Sequence, residues 1–299
     1  MKLKSPYVLI LIAVFIWGGA PAIMKLTLTQ IPVFSLAFLR MFLASLLMLP
    51  FALKSLHFKK QDLSMFILAA LFGVTLNLAF FFIGLKLTYA INAALLIAAT
   101  PILTLFASSI FLKEKLTAKL ILASLTALAG VVVIIGKPQA GSSSGHLLGN
   151  ILLMLASITG VVHSIVAKKL LKIYDGTTVT FYTLLIGALT FVPFVVWEFV
   201  TIPNWIASVN SIGLAGLVYG IVLASLAAYW AWMEGLKRLP AGEASFFFYI
   251  DPITGAILAI ILLGEKLTRE LIVGGLLITI AVILAEHKRR NHPLHKRLE

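Results

Sequence analysis

The sequence predicts an all-α integral membrane protein with ten transmembrane helices, built as two inverted five-helix repeats. Three observations lead to this prediction. The chain of 299 residues is 61% hydrophobic and only 12% charged, with a mean hydropathy of +1.07, whereas soluble domains are about half apolar and about a quarter charged. Apolar runs of membrane-spanning length follow one another along the chain, and one block of sequence occurs twice.

The apolar runs define the ten helices in order. Each run contains roughly 18–24 residues, which is enough to cross about 30 Å of hydrocarbon. Because every backbone polar group must be satisfied inside a bilayer, each run is predicted to be a helix. We place the spans at residues 6–25, 33–53, 65–85, 90–112, 118–136, 147–167, 178–198, 210–233, 240–263 and 268–286.

Lysine and arginine are distributed unevenly between the connectors, and this bias predicts the orientation. If the N-terminus is cytoplasmic, eighteen of the 24 basic residues lie on the cytoplasmic side, five lie outside and Arg40 lies within a span. We therefore predict a multi-pass protein of the inner (cytoplasmic) cell membrane, with both termini in the cytoplasm. Much of the positive charge behind the net charge of +13 is therefore a topology signal and does not indicate a partner. We expect the lipid bilayer as a partner, and no nucleic acid.

One block of sequence occurs twice, as TPILTLFASSIFLKEKLT at 100–117 and DPITGAILAIILLGEKLT at 251–268. At an offset of 151 residues, the prolines, the glutamates and the Lys-Leu-Thr triplets coincide without a gap. Five spans per unit is an odd number, so the second copy must be inverted in the membrane. Inverted repeats recur in secondary transporters, with the substrate site near the midplane; a duplication that only built a stable bundle is the alternative. The predicted segments are repeat 1–138, linker 139–146, inverted repeat 147–287 and a basic cytoplasmic tail at 288–299.

These two blocks, together with WGGAP at 17–21 and RMFLASLLMLP at 40–50, resemble EamA-type carriers of the drug/metabolite transporter superfamily. The resemblance covers residues 6–286, with both halves in order. It implies ten helices around a central cavity lined by the first, third, fourth, sixth, eighth and ninth, and export of a small metabolite that it does not identify. The sixth span departs from the family, because it reads ASITGVVHSIVAKKL where a tryptophan and small aromatics are typical.

Asp251 is the first candidate substrate-binding residue, because it lies near the middle of the predicted ninth span. An aspartate at the bilayer centre costs about 2.5 to 3.5 kcal/mol, so such residues usually face protein or water and act there. The adjacent Pro252 removes a backbone donor, which predicts a kink at a polar point of the helix. Asp251 is therefore expected to bind a substrate amine or a proton; a purely structural carboxyl group is the alternative.

Three further polar residues lie within predicted spans. Arg40 is suited to hold a substrate carboxylate, although the resembled family often carries an arginine here for packing, and we favour that structural role. Asn77 and His163 are candidate substrate contacts, and the imidazole can also carry a proton. Either side chain is equally suited to link two helices by a hydrogen bond.

Aromatic residues and prolines complete the candidate cavity. Trp17 and Tyr249 lie too deep to be interfacial anchors and are predicted to line the site, and Tyr229 is a further candidate from the YWAW stretch. An apolar, aromatic-lined pocket with few polar groups favours an amphipathic or aromatic solute. Besides Pro252, Pro21 and Pro101 are predicted helix kinks.

Three glutamates lie near predicted span ends. Glu243 falls in the first turn after a proline, where a helix N-terminus favours a carboxylate; we predict a cap, with a cytoplasmic gate as a second option. Glu114 and Glu265 belong to the repeated block and are predicted to set loop geometry.

The combined prediction is a secondary transporter that exports a small organic metabolite by alternating access, either an amino acid or an amphipathic or aromatic solute. Proton coupling, uniport and exchange stay open. No Walker-type sequence is present, so neither ATP nor another cofactor is expected, and zero cysteines exclude thiolate metal sites. We predict no metal and no catalytic residues. The rivals are an intramembrane lipid-modifying enzyme using Asp251 and His163, and a non-transporting scaffold.

Overall fold

The computed structural model describes residues 5–53, 58–113, 118–136 and 144–286, and within them the chain is helical, without a strand. The first copy of the Glu-Lys-Leu-Thr motif (114–117), most of the linker and the predicted tail lie outside these residues. The helices are α1 Pro6–Thr27, α2 Val33–Ala52, α3 Lys60–Leu87, α4 Ala90–Phe111, α5 Ala118–Gly136, α6 Ser144–Leu170, α7 Gly176–Thr190, α8 Val192–Thr201, α9 Ser211–Arg238, α10 Ala241–Leu263 and α11 Arg269–Glu286.

A helix covers most of each predicted apolar run. Among the described residues, seven helices are long and apolar enough to cross a membrane, or eight if α7 and α8 form one bent span. These two meet at an angle of 41°, where the sequence analysis predicted a continuous helix. Pro193 lies in the first turn of α8 and has no backbone N–H to continue the preceding helix, so the break has a local cause. The count of ten and the inverted relation of the halves stay predictions.

The outer surface of the bundle is apolar. Large hydrophobic side chains such as Phe15, Phe51 and Val200 are exposed on it. Burying such residues gains no hydrophobic free energy in a bundle surrounded by hydrocarbon, because lipid tails are as apolar as the side chains themselves.

Glycines let the inner helices approach closely. A Cβ atom on Gly84 of α3 would lie 2.8 Å from the carbonyl oxygen of Gly149 on α6, which is too close for any other residue. On α9, Gly216 faces Thr27 and Gly220 faces Arg40 in the same way, so this helix packs against α1 and α2. Small residues at contacts are the usual means of close packing within membranes.

Four irregular segments interrupt the long helices. Helix α3 contains a π-helical segment at Leu71–Thr75, and α9 contains one at Tyr219–Ala227. Helix α4 breaks just before Pro101, and α10 has a 3₁₀ segment at Phe246–Ile250 just before Pro252. Irregular segments thus precede two of the three prolines predicted to be kinks, whereas α1 continues through Pro21 as one helix.

Candidate functional site

A cavity of about 160 Å³ lies inside the bundle. Residues of α1, α3, α4, α6, α9 and α10 line it, and α2 contributes one side chain. This volume is close to that of an apolar cavity of about 150 Å³ that accommodates benzene, so it suits a small organic molecule. Six of the predicted site residues line the cavity: Trp17, Arg40, Asn77, His163, Tyr229 and Asp251.

Asp251 places a carboxyl group in the cavity wall. The residue is 2% exposed, and its carboxylate accepts no hydrogen bond from the described residues; the Oδ1 atom is fully buried. It begins the α-helical part of α10, directly after the 3₁₀ segment, where the amino end of a helix favours negative charge. Close contact with α1 is possible because Gly18 faces the Asp251 backbone, where a Cβ would lie 3.1 Å from Cα. The group is thus held in place without being neutralised by a partner.

The side chain of Arg40 extends from α2 to the cavity and passes beside the π-helical segment of α9. Its Nε donates to the carbonyl oxygen of Gly220 and to the hydroxyl of Ser225, both at 3.3 Å. Its guanidinium carbon lies 5.4 Å from the centre of the Phe82 ring, within the range of a cation–π contact. No carboxylate among the described residues lies within 4.0 Å of it. These contacts with α3 and α9 fit the structural role that the sequence analysis favoured, and Arg40 also lines the cavity.

Backbone carbonyl groups in and near the π-helical segments hold other cavity side chains. Tyr229 donates its hydroxyl to the carbonyl oxygen of Gly73 in α3, at 2.9 Å. Trp17 donates its indole N–H to the carbonyl oxygen of Ala224 in α9, also at 2.9 Å. π-Helical turns inside α-helices are frequent at functional sites. Here, each such bond joins two helices that are distant in sequence.

His163 lines the cavity and has one buried ring nitrogen without a partner among the described residues. Its Nδ1 lies 2.9 Å from the carbonyl oxygen of Ala69, which can only accept, so Nδ1 carries the proton. In a neutral ring Nε2 is then an acceptor, and this buried atom has no partner among the described residues. Gly73 is required beside it, because a Cβ there would overlap the imidazole ring.

Asn77 is partly used by the fold. Its amide donates to the carbonyl oxygen of Ala156 at 2.7 Å and to the hydroxyl of Thr159 at 3.4 Å, which links α3 to α6. The link between two helices considered from the sequence is present, and the residue also lines the cavity.

An aromatic wall forms one side of the cavity. Trp17 stacks on Phe248 with ring centres 6.0 Å apart, and Trp232 lies 4.7 Å from the same phenylalanine. Phe248, rather than the predicted Tyr249, lines the cavity. In a 3₁₀ helix residues i and i+3 eclipse, so Phe248 shares a face with Asp251. Tyr249 packs on Phe246 instead, and its buried hydroxyl has no partner among the described residues.

Glu243 lies away from the cavity, at one end of α10. It accepts a hydrogen bond from the hydroxyl of Tyr7 at 2.9 Å, which joins the first turns of α1 and α10. It is not among the cavity-lining residues.

The sequence analysis missed part of α6. Ala156, Gly160 and Ser164 line the cavity and follow each other at intervals of four residues. Residues at this spacing share one face of a helix. The spacing of these small residues was therefore a signal for this cavity face that the sequence contained.

Comparison with known proteins assigns the chain to a family. The model of the EamA-like transporter family matches residues 4–136 and again 147–286. The chain belongs to the EamA-like transporter family. It is therefore a multi-pass membrane protein of a family of transporters, with a small molecule rather than a macromolecule as its expected cargo.

Individual relatives agree with this family. The chain is 28% identical to an uncharacterized transporter of Archaeoglobus fulgidus, over 96% of this chain and 99% of the relative. It is 26% identical to a protein of Streptantibioticus cattleyicolor named a probable terminal-alkyne amino-acid exporter, over 96% and 95% of the two chains. A solved crystal structure matches with a TM-score of 0.69 at 19% identity, covering 97% of this chain and 99% of that one, which shows the fold alone.

Polar contacts join the ends of several helices at one end of this EamA-like bundle. Glu265 accepts hydrogen bonds from the backbone N–H groups of Ala90 and Ile91 at 2.8 and 2.9 Å, so it caps the amino end of α4. Lys25 lies 3.8 Å from the same carboxylate and also donates to the carbonyl oxygen of Thr88. Glu265 lies just after α10, so these contacts join the end of α10 to the amino end of α4, and its predicted role in loop geometry stays a prediction. We call Lys25, Thr88 and Glu265 the first polar lock.

A lysine has a similar place at the opposite end. Lys168, in the last turn of α6, donates to the carbonyl oxygens of Leu236 and Leu239, both at 2.5 Å. These carbonyl groups belong to the last turn of α9 and its cap, which attract a positive charge. We call Lys168, Leu236 and Leu239 the second polar lock.

Proposed function

We propose that this protein is a secondary transporter that exports a small organic metabolite, an amino acid or an amphipathic or aromatic solute, by alternating access. One observation carries the proposal: a cavity lined by membrane-spanning helices combines the unpaired carboxylate of Asp251 with an aromatic wall. Such a site offers a solute one strong polar contact and an apolar surface, as small-molecule sites generally do.

Several features support two inverted five-helix halves, and therefore ten spans. The offset of 151 residues carries Leu71–Thr75 onto residues 222–226, which lie inside the π-helical segment Tyr219–Ala227. The same offset carries Thr88, which accepts from Lys25, onto Leu239, which accepts from Lys168. The family model also matches the chain twice. These pairs are the expected result of duplicating one structural unit.

The two polar locks suit alternating access. Each lock joins helices from different parts of the bundle, and the two lie at opposite ends of the cavity-forming helices. Release of the first while the second holds would open the cavity to one side only. With the basic connectors in the cytoplasm of an inner-membrane protein, the first lock faces outward and the second faces the cytoplasm.

The energy source is proposed to be a substrate or proton gradient, with no ATP, no metal and no covalent chemistry. Asp251 and His163 both line the cavity and present groups without partners among the described residues, so either can carry a proton during the cycle. A lipid-modifying enzyme would use the same two residues. The test must therefore show whether the solute is chemically altered as well as whether it crosses the membrane.

Flux measurements in proteoliposomes test the proposal. Labelled amino acids and amphipathic cations are screened with and without a pH gradient, and the mass of the recovered solute is measured by mass spectrometry. We expect unaltered solute to cross the membrane, and Asp251→Asn to reduce its flux. A product of changed mass would favour the enzyme, and no flux of any solute would favour the scaffold. Gradient-driven flux that disappears in Asp251→Asn would identify the coupling site.

A further inference from the structure

We propose that four cavity residues are positioning residues, which hold the centre of the bundle together in both open states of the transport cycle. We call them the central brace: Trp17, Arg40, His163 and Tyr229. The inference rests on the proposed alternating access and on the proposed inverted repeat. It assigns the part of the bundle that stays in place while the two polar locks release in turn.

Two side chains of the second half bind carbonyl groups of α3. His163 of α6 donates from Nδ1 to the carbonyl oxygen of Ala69, and Tyr229 of α9 donates its hydroxyl to that of Gly73, both at 2.9 Å. Ala69 and Gly73 are four residues apart, so their carbonyl groups lie on one face of the helix. This face of α3 is therefore bound by side chains from the other half.

Two side chains of the first half bind carbonyl groups of α9 in the same way. Arg40 of α2 donates from Nε to the carbonyl oxygen of Gly220 at 3.3 Å, and Trp17 of α1 donates its indole N–H to that of Ala224 at 2.9 Å. Gly220 and Ala224 are again four residues apart. Each half thus supplies both donors for the other half.

The bound carbonyl groups occupy equivalent positions in the two repeats. Adding the offset of 151 residues to positions 69 and 73 gives 220 and 224, without a gap. The donors are not equivalent, because the same offset carries Trp17 onto Lys168 and Leu78 onto Tyr229. The equivalence therefore lies in the backbone positions that are bound, and different side chains meet the same requirement.

These backbone positions lie in or next to the π-helical segments of α3 and α9. In a membrane, irregular backbone is tolerated only where protein or a cavity satisfies its polar groups. A carbonyl oxygen has two lone pairs, so it can accept a side-chain donor in addition to a helical N–H group. The central brace therefore ties the irregular segment of each half to the other half.

The symmetry of these contacts separates the brace from the locks. In an inverted repeat, exchange of the two halves also exchanges the two ends of the bundle. The offset carries Thr88 of the first polar lock onto Leu239 of the second, so each lock maps onto the opposite end. The bound carbonyl groups of the central brace map onto each other instead. A set of contacts that maps onto itself fits both open states, whereas a lock fits only one.

Hydrogen exchange of the full-length protein in lipid nanodiscs tests whether each donor acts on the other half. Tyr229→Phe removes one hydroxyl from α9, and we expect backbone amides at 69–78 in α3 to exchange about two- to tenfold faster. Tyr249→Phe is the matched control and should change nothing, because its buried hydroxyl has no partner among the described residues. Trp17→Phe should have the reciprocal effect, at 220–229 in α9.

The location of the faster exchange decides the outcome. Faster exchange confined to the helix that carries the changed residue, or spread evenly over the bundle, would overturn the proposal. The two variants test opposite directions, so either one decides the matter if the other does not fold.

Accessibility of the cavity tests whether the brace persists in both open states. A single Ser157→Cys change places a thiol on the cavity wall of a chain without natural cysteine. An impermeant thiol reagent is added to right-side-out and to inside-out vesicles, and the ratio of the two labelling rates is measured. Tyr229→Phe should change this ratio by less than about twofold, whereas Glu265→Gln and Lys168→Met should shift it about fivefold or more in opposite directions. A shift by Tyr229→Phe as large as that of a lock variant would assign its bond to one state and overturn the proposal.

These measurements separate the central brace from the transport function. Reciprocal exchange effects without flux of any solute would support the brace as a link between the halves and contradict transport. Flux of a solute, together with a one-sided shift in Tyr229→Phe, would contradict the brace and leave transport standing.

Discussion

Glu265→Gln should release the first polar lock and expose the cavity. The carboxylate is 6% exposed, accepts two backbone N–H bonds at the amino end of α4 and lies 3.8 Å from Lys25. Glutamine retains one acceptor oxygen but loses the charge that strengthens these bonds. Hydrogen bonds to charged groups contribute about 1.5–3 kcal/mol each, of which the amide keeps a part. We therefore expect a loss of about 1–3 kcal/mol, or about 5- to 150-fold in the balance between closed and open forms.

Cysteine accessibility measures that balance, because the natural chain contains no cysteine and gives no background labelling. A single Ser157→Cys change places a thiol on the cavity wall. A membrane-impermeant thiol reagent is then added from the outside of right-side-out vesicles. We expect labelling of the cysteine to accelerate in the Glu265→Gln background.

The matched control is Glu270→Gln, which removes a carboxylate that makes no ion pair within the described residues. It should leave the labelling rate unchanged. If Glu265→Gln protein is folded and labels no faster than wild type, the contacts of Glu265 do not hold this end closed, and the proposed lock is wrong.

Three further changes test separate parts of the site. Lys168→Met should release the second polar lock and accelerate labelling from inside-out vesicles only; acceleration from both sides would mean general loosening. Gly73→Ala should abolish solute binding, measured by calorimetry, because the added Cβ would overlap the His163 ring. Gly275→Ala is the control and should leave binding unchanged, because its Cβ would lie at an ordinary contact distance of 3.5 Å from Leu95. Phe248→Ala should weaken solute binding about tenfold, because aromatic contacts are lost. Tyr249→Phe removes only an unpartnered hydroxyl and should leave binding unchanged. If both variants weaken binding equally, the face of α10 assigned to the cavity is wrong.

The sequence predicted the location of the helices well because each prediction used a property of one segment. Length and apolarity are sufficient to identify a span. The interruptions before Pro101 and Pro252 follow from the missing backbone donor of each proline. The bend before Pro193 has the same local cause and could have been predicted, but was not.

The cavity required the tertiary structure, because its side chains are positioned by residues far away in the chain. Trp17 donates a hydrogen bond to a carbonyl group 207 residues later in the chain, and Tyr229 donates one to a carbonyl group 156 residues earlier. Both acceptors lie in π-helical segments, which helical periodicity does not reveal. For the same reason the sequence could not show that the side chain of Arg40 would extend past α9 to the cavity.

By itself, therefore, the sequence determined the class of protein, its helical segments and the identity of the rare polar residues within them, since those depend on transfer of each segment into lipid. Only the tertiary structure decided which of these residues meet. Phe248 replaced Tyr249 at the cavity because a 3₁₀ turn changed the face of α10. Arg40 joined Asp251 there because Gly220, which has no Cβ, leaves space for its side chain to cross between helices.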